Sequence, residues 1–410
     1  MADNLIYIYL HQRGEDCPVG RLWTRSHNGR ESATFRYDEN WLKRPDAFAL
    51  EPSLPLVDGA QYTPAGRSIF ACFTDCAPDT WGRVLIRRYR SRLGLAQRHI
   101  SEADYMLAVD DFSRAGALRF KLDPQGDFLS QGGVIPPLVD IRKLLAMTER
   151  VLERSDSDDD LRQLVIPASS LGGARPKASV QDAATGELFI AKFPRKDDSN
   201  SNVLWEAVAL TLAQQAGLRV QQWRLEHVGS RAVLLLKRFD RAANKARIPF
   251  ISAMSMLGAA DGESAAYSYL DLAEIIRSQG VNVKDNMREL WSRILFSVLI
   301  SNTDDHLRNH GFLRSELSGW TPSPLYDVNP NVEQSDHLQL NIDESSSLAD
   351  VDLVLSVADT FGLSGRDAEE IWKAQRSAVS GWRDVAEKIG IKGDEIRDMA
   401  HAFRRCESRT

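Results

Sequence analysis

The sequence predicts an α+β protein with a sheet-rich beginning, a second block of strands near residues 177–237, and a helical remainder. Three observations carry that reading. Residues 5–37 hold three short strand-like runs separated by turn signals. Leu188 to Phe193, apolar but for Lys192, and the continuous apolar run Ala232 to Leu236 are of strand length. From Ile251 onward apolar residues recur at helical spacing, with no further strand runs of note.

A chain of 410 residues is long enough for two or three domains, each with its own core. The expected divisions are 1–110, 111–236 and 237–410. Apolar content of 43% and charged content of 26% are those of an ordinary water-soluble chain. A net charge of −6 argues against a protein that coats nucleic acid by bulk charge, though it leaves room for a local basic patch. Cys17, Cys72, Cys76 and Cys406 are spaced wrongly for a disulfide framework and are read as buried thiols. The N-terminal apolar run is too short for a signal peptide, and no window approaches the roughly 20 apolar residues of a membrane span. A cytoplasmic protein with no membrane partner is expected.

Leu5 to Tyr9, Val19 to Trp23 and Ala33 to Tyr37 form the first sheet, with Asn28-Gly29 as a hairpin turn. Asp79 or Thr80 caps a helix from Val84 to Leu95, and Ser101 to Asp104 opens another in capping-box style. Ala115 to Leu122 reads as a strand and Leu138 to Arg154 as a helix. The run SDSDDD at residues 155–160 reads as a solvated turn. Tyr269 to Ser278, Val283 to Ile300, Ala349 to Phe361, Asp367 to Ile389 and Asp394 to Cys406 are helical, with Trp372, Trp382 and Phe403 as core residues.

Polar and ionisable residues gather directly behind the apolar helix ending at Ile300. Asp304 and Asn309 are spaced Asp-x-x-x-x-Asn, and Asp327 follows in the apolar setting Leu325-Tyr326-Asp327-Val328. Phosphoryl transfer to a hydroxyl uses such parts in this order. One carboxylate orients or deprotonates the nucleophile, and an Asn with a second carboxylate holds Mg²⁺ against the phosphates. Asp304, His306 and Asn309 are therefore the catalytic candidates, with Asn309 and Asp327 as metal ligands. A cap followed by a solvated loop is the plain alternative. His306 and His310 also have the spacing of a two-histidine metal site, so a metal-dependent hydrolase built on Asp304, His306, His310 and Asp327 is a rival.

Upstream, Leu171, Gly172, Gly173, Ala174 and Lys177 form a glycine-bearing loop whose backbone and lysine suit phosphate. Lys192 lies in an apolar strand, where an unpaired cation is costly, and Glu206 on the following helix is its natural partner. A lysine that merely snorkels from an edge strand is the alternative. Lys237, Phe239 and Asp240, at the end of the next strand, stand where a kinase hinge would meet adenine and ribose.

Loop, strand lysine, helix glutamate, hinge, Asp-x-x-x-x-Asn and a late Asp come in the order of a bilobal protein kinase. The wording around them resembles the HipA family of bacterial serine/threonine-protein kinases, the toxins of toxin–antitoxin pairs. The resemblance covers nearly the whole chain. It rests most on Arg238-Phe239-Asp240-Arg241, Thr303 to Asn309, and Pro324 to Val328, with Val19 to Leu22, Phe73 to Arg83 and Leu171 to Lys177 in support. It implies a HipA-like fold with an N-terminal subdomain, a sheet-containing nucleotide lobe and a helical C-lobe. It also implies an ATP- and Mg²⁺-dependent kinase with Asp304 as catalytic aspartate and Lys192 on the ATP phosphates. Ser170 matches the family's autophosphorylated serine, beside Ser169. Arg175-Pro176 departs from the family's usual residues in the loop, and Asp305 stands where glycine is frequent. Family members pair with a helix-turn-helix antitoxin that carries the contact to operator DNA, and some phosphorylate an aminoacyl-tRNA synthetase. A kinase-fold enzyme acting on a small molecule shares the same Asp-x-x-x-x-Asn and is the second rival.

Overall fold

The computed structural model describes residues 4–27, 30–95, 99–129, 135–167, 173–198, 200–314, 319–332 and 335–407. The chain forms two compact units. The first comprises Met1–Lys196 and Leu235–Ile251, the second Asp197–Leu234 and Ser252–Thr410. These units follow the path of the backbone in space and cut across the divisions 1–110, 111–236 and 237–410.

The first unit begins with a five-stranded antiparallel sheet of β1 (Asn4–Gln12), β2 (Glu15–His27), β3 (Arg30–Tyr37), β4 (Gln61–Tyr62) and β5 (Leu118–Lys121), in the order β4-β3-β2-β1-β5. The period-two pattern of β1 buries Ile6, Ile8 and Leu10 and turns Tyr7 and Tyr9 the other way. Phe35, Tyr37 and Phe120 join the buried face, and Phe35 meets Phe70 and Phe73 edge-on or tilted at 6.3 and 5.9 Å. The buried Tyr37 hydroxyl donates to Leu54 O at 2.7 Å and accepts from the Leu50 N–H, which pins the loop after β3. The expected turn at Asn28-Gly29 lies outside the described residues, although β2 and β3 pair right up to it, His27 opposite Arg30.

The helix Thr80–Arg92 starts four residues before the expected one, because the Asp79 side chain accepts from the Gly82 N–H. Ser101 and Asp104 make the expected capping box. The acidic run at 155–160 is not a solvated turn. Ser157 and Asp160 form a second capping box, the acids occupy the first turn of the helix Asp158–Val165, and the buried Asp160 pairs with Arg150. Carboxylates at a helix N-terminus face the positive end of its dipole, so the run that looked solvated nucleates structure. β6 (Lys177–Gln181) and β7 (Leu188–Lys192) then pair antiparallel.

The second unit holds β8 (Trp223–Val228) and the start of β9 (Arg231–Lys237), whose last three residues return to the first unit. β10 (Phe250–Ser252) is brief, and Ser252 caps the turn of helix that follows it. The core of the second unit is the helix Val283–Leu299. Its Trp291 is fully buried and donates to Val354 O at 2.9 Å. Trp382 stacks on Phe403 with centroids 4.2 Å apart, and Trp205 lies against both. Trp372 is buried as well, so the three expected core aromatics are core residues. Strands are not confined to the region before Ile251: β11 (Gly311–Arg314) and β12 (Trp320–Pro322) pair antiparallel. Runs of four and three residues are too short to show an alternation. The segment 367–389 is two helices, Gly365–Ser380 and Trp382–Ile389, divided at Gly381.

All four cysteines are free and buried, and burial pushes the Cys76 thiol up to about 12. No helix among the described residues is long and apolar enough to cross a membrane.

The first unit depends on a buried charge network. Asp240 accepts from Arg238, from Arg241 at 2.8 Å and from the Gly116 N–H at 2.8 Å, while Arg238 also donates to Ser113 O. Arg114 is fully buried and donates to Cys76 O, Met106 O and Val109 O. Burial alone would raise the Asp240 carboxyl, but the two guanidiniums outweigh it and hold it well below the usual carboxylate range. Removing one partner leaves an uncompensated buried charge, so Arg238→Met should lower stability by about 3–5 kcal/mol in a urea titration. Because the folded pKa lies below the unfolded value of about 3.9, Asp240 contributes in full above that pH. Its contribution falls away as the medium is acidified further. Asp240→Asn should flatten the acid limb of stability against pH, and an unchanged limb would assign that limb to other carboxylates.

Candidate active site

The helix Val283–Leu299 delivers the site loop. Its chain reverses at Ser301, which sits in the left-handed region with φ 53°, and the Asn302 N–H returns to Ser297 O. A single 3₁₀ turn, Leu307–Asn309, follows. Asp304 is exposed, and its carbonyl accepts from the Asn309 side-chain amide at 3.1 Å. That bond settles which way the amide points: the nitrogen must face the carbonyl, which leaves Oδ1 on the other side. Asn309 Oδ1 is buried and has no donor among the described residues.

Asp305, next to the catalytic candidate, is buried and has a positioning role. The buried Tyr269 hydroxyl donates to it at 2.6 Å, and His310 Nε2 lies 3.0 Å from its other oxygen. Burial pushes the Asp305 carboxyl up, but His310 and the Tyr269 hydroxyl more than offset that and hold it below the usual range. His310 is thereby turned toward Asp305. His306 is half-buried, with Nδ1 buried and unpartnered.

Asp327 is brought to the same part of the second unit by a clasp of hydrogen bonds. The Leu325 N–H donates to Arg219 O at 2.7 Å, and the Tyr326 hydroxyl donates to Arg308 O at 2.6 Å. Beyond it, the Asn331 N–H donates to Ser301 O and its side chain to Thr303 Oγ1 at 2.8 Å. Asp327 itself is half-buried in the left-handed region, φ 55°, where only Gly, Asn and Asp sit at modest cost. Non-glycine residues held there concentrate at functional sites.

These oxygens are of the kind a hard divalent cation takes. The free oxygen of Asn309 and the carboxylate of Asp327 are hard donors, as Mg²⁺ prefers, and Mg²⁺ takes only one or two carboxylates besides substrate phosphates. The histidine-based set is not assembled. Among the described residues no group of three or more His, Cys, Asp or Glu is placed to hold a metal, and His310 faces Asp305.

The first unit carries the other candidates. Ser170, Leu171 and Gly172 lie outside the described residues. Gly173 takes φ 87°, a conformation that favours glycine, and Ala174 is exposed. Lys177 does not face solvent: its side chain is 2% exposed and its Nζ lies 3.1 Å from Asp79 Oδ2, a carboxylate just as buried. A lysine so far from water needs an anion, and the N-cap of Thr80–Arg92 supplies it. Lys192 is half-buried and stands directly opposite Lys177 in the β6–β7 register. Lys237 donates to Glu187 at 2.5 Å, and Phe239 packs against Phe250 with centroids 6.0 Å apart. Asp240 is not at a nucleotide edge, because its oxygens are engaged by Arg238, Arg241 and Gly116 inside the core. Glu206 is buried in the helix Asn202–Gln215 of the second unit.

Sequence reasoning missed Tyr269, Tyr326 and Asn331. Each acts through a hydrogen bond to a residue 18 to 36 positions away, and no local spacing marks such a bond.

Against known proteins, residues 169–382 match the family model described as HipA-like C-terminal domain, and residues 10–120 match the HipA N-terminal domain. The chain belongs to the HipA family. This HipA-family chain matches no curated protein. Among solved structures it resembles a chain of the Shewanella oneidensis MR-1 toxin–antitoxin complex of HipA, HipB and operator DNA. The TM-score is 0.69 at 19% identity, over 98% of this chain and 96% of that one. It also resembles the Helicobacter pylori proinflammatory kinase CtkA, with a TM-score of 0.44 at 17% identity, over 60% of this chain and 96% of that one. The expected α+β, HipA-like fold is the fold found.

The Lys177–Asp79 pair makes a separable prediction. Lys177→Met should cost about 3–5 kcal/mol by stranding a buried carboxylate. Adding Asp79→Asn, which keeps the helix cap, should recover much of that in a thermal melt. A Lys177→Met protein as stable as wild type would return Lys177 to the list of free ligand-binding cations.

Proposed function

We propose that this HipA-family protein is an ATP- and Mg²⁺-dependent protein serine/threonine kinase, the toxin of a toxin–antitoxin pair. The observation that carries the reading is the clasp in the second unit. It fixes Asp327 and the Asp304–Asn309 loop to each other while leaving Asn309 Oδ1 buried with no donor and Asp304 exposed.

In this reading Asp304 orients the substrate hydroxyl and takes its proton as the oxygen attacks the γ-phosphorus of ATP. The bond from that phosphorus to the β-phosphate bridging oxygen breaks, and ADP leaves. Asn309 and Asp327 would hold Mg²⁺, which supplies charge neutralisation along the phosphates when bound. His306 is a further catalytic candidate beside Asp304, and Tyr269 and His310 hold Asp305 behind the loop. Lys192 meets the ATP phosphates, and the backbone near Lys237 and Phe239 takes the adenine. Leu171, Gly172, Gly173 and Ala174 form the phosphate loop, and Ser170 accepts a phosphoryl group from the protein's own activity. Phosphate there adds about −1.5 to −2 charges beside that loop and should weaken ATP binding.

A helix-turn-helix antitoxin is the proposed partner, with contact to operator DNA made through it and the complex residing in the cytoplasm. The S. oneidensis neighbour was solved with HipB and operator DNA, which supports that assembly. The proposed substrate is a protein, with an aminoacyl-tRNA synthetase as the class the family suggests.

Incubation with labelled ATP and Mg²⁺ and a cell lysate, followed by mass spectrometry, tests the reading. Labelled Ser or Thr is expected on a lysate protein and at Ser170, whereas label only in small molecules would favour a metabolite phosphotransferase. Asp304→Asn and Asp327→Asn should each lower labelling at least ~10²-fold with the fold intact. Near wild-type labelling by either would falsify the assignment. Lys192→Ala should weaken binding of an ATP analogue in calorimetry while leaving the melting temperature nearly unchanged, and unaltered affinity would mean that this lysine only snorkels.

A further inference from the structure

The outward face of the N-terminal sheet has a composition that its buried face does not require. Two cross-strand rows lie on it. Lys121 of β5, Tyr7 of β1, Arg21 of β2 and Arg36 of β3 are successive register partners, and Leu5, Trp23, Thr34 and Tyr62 form the row beside them. With strands about 4.8 Å apart, the first row spans about 14 Å. Arg25 extends the basic stripe along β2, and Arg119 with Tyr9 extends it along β5 and β1. Arg21, Arg25 and Arg36 are exposed, and Tyr62 is 72% exposed.

Carboxylates neutralise only part of this face. Asp58 pairs with Arg36, and Asp16 and Asp111 pair with Arg119. Asp38 comes close enough to Tyr9 to help raise its pKa, after burial. Among the described residues Arg21, Arg25 and Lys121 have no carboxylate partner. Arg21 lies over the Tyr7 ring at 5.8 Å, and Lys121 over Tyr9 and Phe128 at 5.3 and 4.6 Å. Arg21 stands directly opposite Arg36, and Asp58 meets the Arg36 charge while Arg21 has only the Tyr7 ring. Cation–π contacts account for Tyr7 and Tyr9, whereas among the described residues no cation lies over Trp23 or Tyr62.

We propose that this face binds single-stranded nucleic acid. Phosphates would meet Arg21, Arg25 and Lys121, and unpaired bases would stack on Trp23 and Tyr62. A shallow sheet offers ring faces at its surface, which reach bases that are splayed out and cannot enter a duplex groove. The proposal is independent of the kinase reading, since none of these residues belongs to the candidate active site.

The test is fluorescence anisotropy of the full-length protein with a labelled single-stranded RNA of about twelve nucleotides. Binding is expected at low salt. Arg21→Gln with Arg25→Gln should reduce the slope of log affinity against log salt by about 1.4, as two lost phosphate contacts on a single strand require. Tyr62→Ala, at an exposed edge position where the fold does not depend on the ring, should weaken binding at least about fivefold, and Trp23→Ala likewise. Labelling with ATP should be the same in all of these variants. The proposal is overturned by absence of binding at low salt, by equal affinity for a duplex of the same length, or by variants that bind like wild type. It is also overturned if polyphosphate of matched charge competes as well as the oligonucleotide, or if only an acidic peptide binds, which would make the face a protein-docking surface.

Discussion

The first unit depends on one buried carboxylate. Asp240 joins two pieces of chain that are far apart in sequence: its own stretch 238–241 just beyond β9, and the segment 113–116 leading into β5. A buried charge is tolerable only when its partners are complete, and here two guanidiniums and a backbone N–H complete it. That requirement explains why Arg238-Phe239-Asp240-Arg241 stands out in the sequence. No member of the set can be exchanged alone without stranding another. It also explains why the motif misleads. A run of charges at a strand end looks like a place for ligand, and burial is the one property that spacing cannot show.

The second unit achieves its order differently, with neutral hydrogen bonds across two loops. Tyr326 to Arg308, Asn331 to Thr303 and Asn331 to Ser301 tie the Asp327 segment to the loop after the long helix. Both loops contain a non-glycine residue in the left-handed region, Ser301 and Asp327. Such conformations cost of order 1–3 kcal/mol each and persist where surrounding bonds over-determine them. The clasp provides that, and the helix Val283–Leu299, with a buried Trp291 and Arg293 bonded to Ser323 O, gives it a rigid base.

Much of this was legible in the sequence, for reasons that differ from element to element. The long apolar helix, the capping box at Ser101 and the core aromatics follow from periodicity and local side-chain chemistry, which act over four residues or fewer. The Asp304–Asn309 spacing can be read because it is only five residues long, and the hydrogen bonds that tie the Asp327 segment to that loop cannot be read from spacing at all. Lys177 and Asp240 were misplaced because their carboxylate or guanidinium partners are supplied by packing. The run at 155–160 was misread because charge counting ignores Ser157, whose hydroxyl turns those acids into a helix start. β11 and β12 escaped notice because three or four residues cannot establish a period of two. Asp305 was passed over as a departure from the family, yet it organises Tyr269 and His310 behind the exposed Asp304.

The two faces of the N-terminal sheet show how far composition can mislead when it is averaged. A net charge of −6 describes the chain as a whole, while period-two alternation sorts residues into two unlike surfaces within a few strands. One face collects Ile6, Ile8, Leu10, Leu22, Phe35 and Phe120 and is dry. The other collects Tyr7, Arg21, Trp23, Arg25 and Arg36, with too few acids to balance them. Screening over about 8–10 Å at physiological salt confines the influence of distant carboxylates, so a patch of this size behaves according to its own residues. The same alternation that builds the core therefore concentrates cations and rings on the opposite face. A burial pattern can account for the first face alone, and the second has to be explained by what it meets.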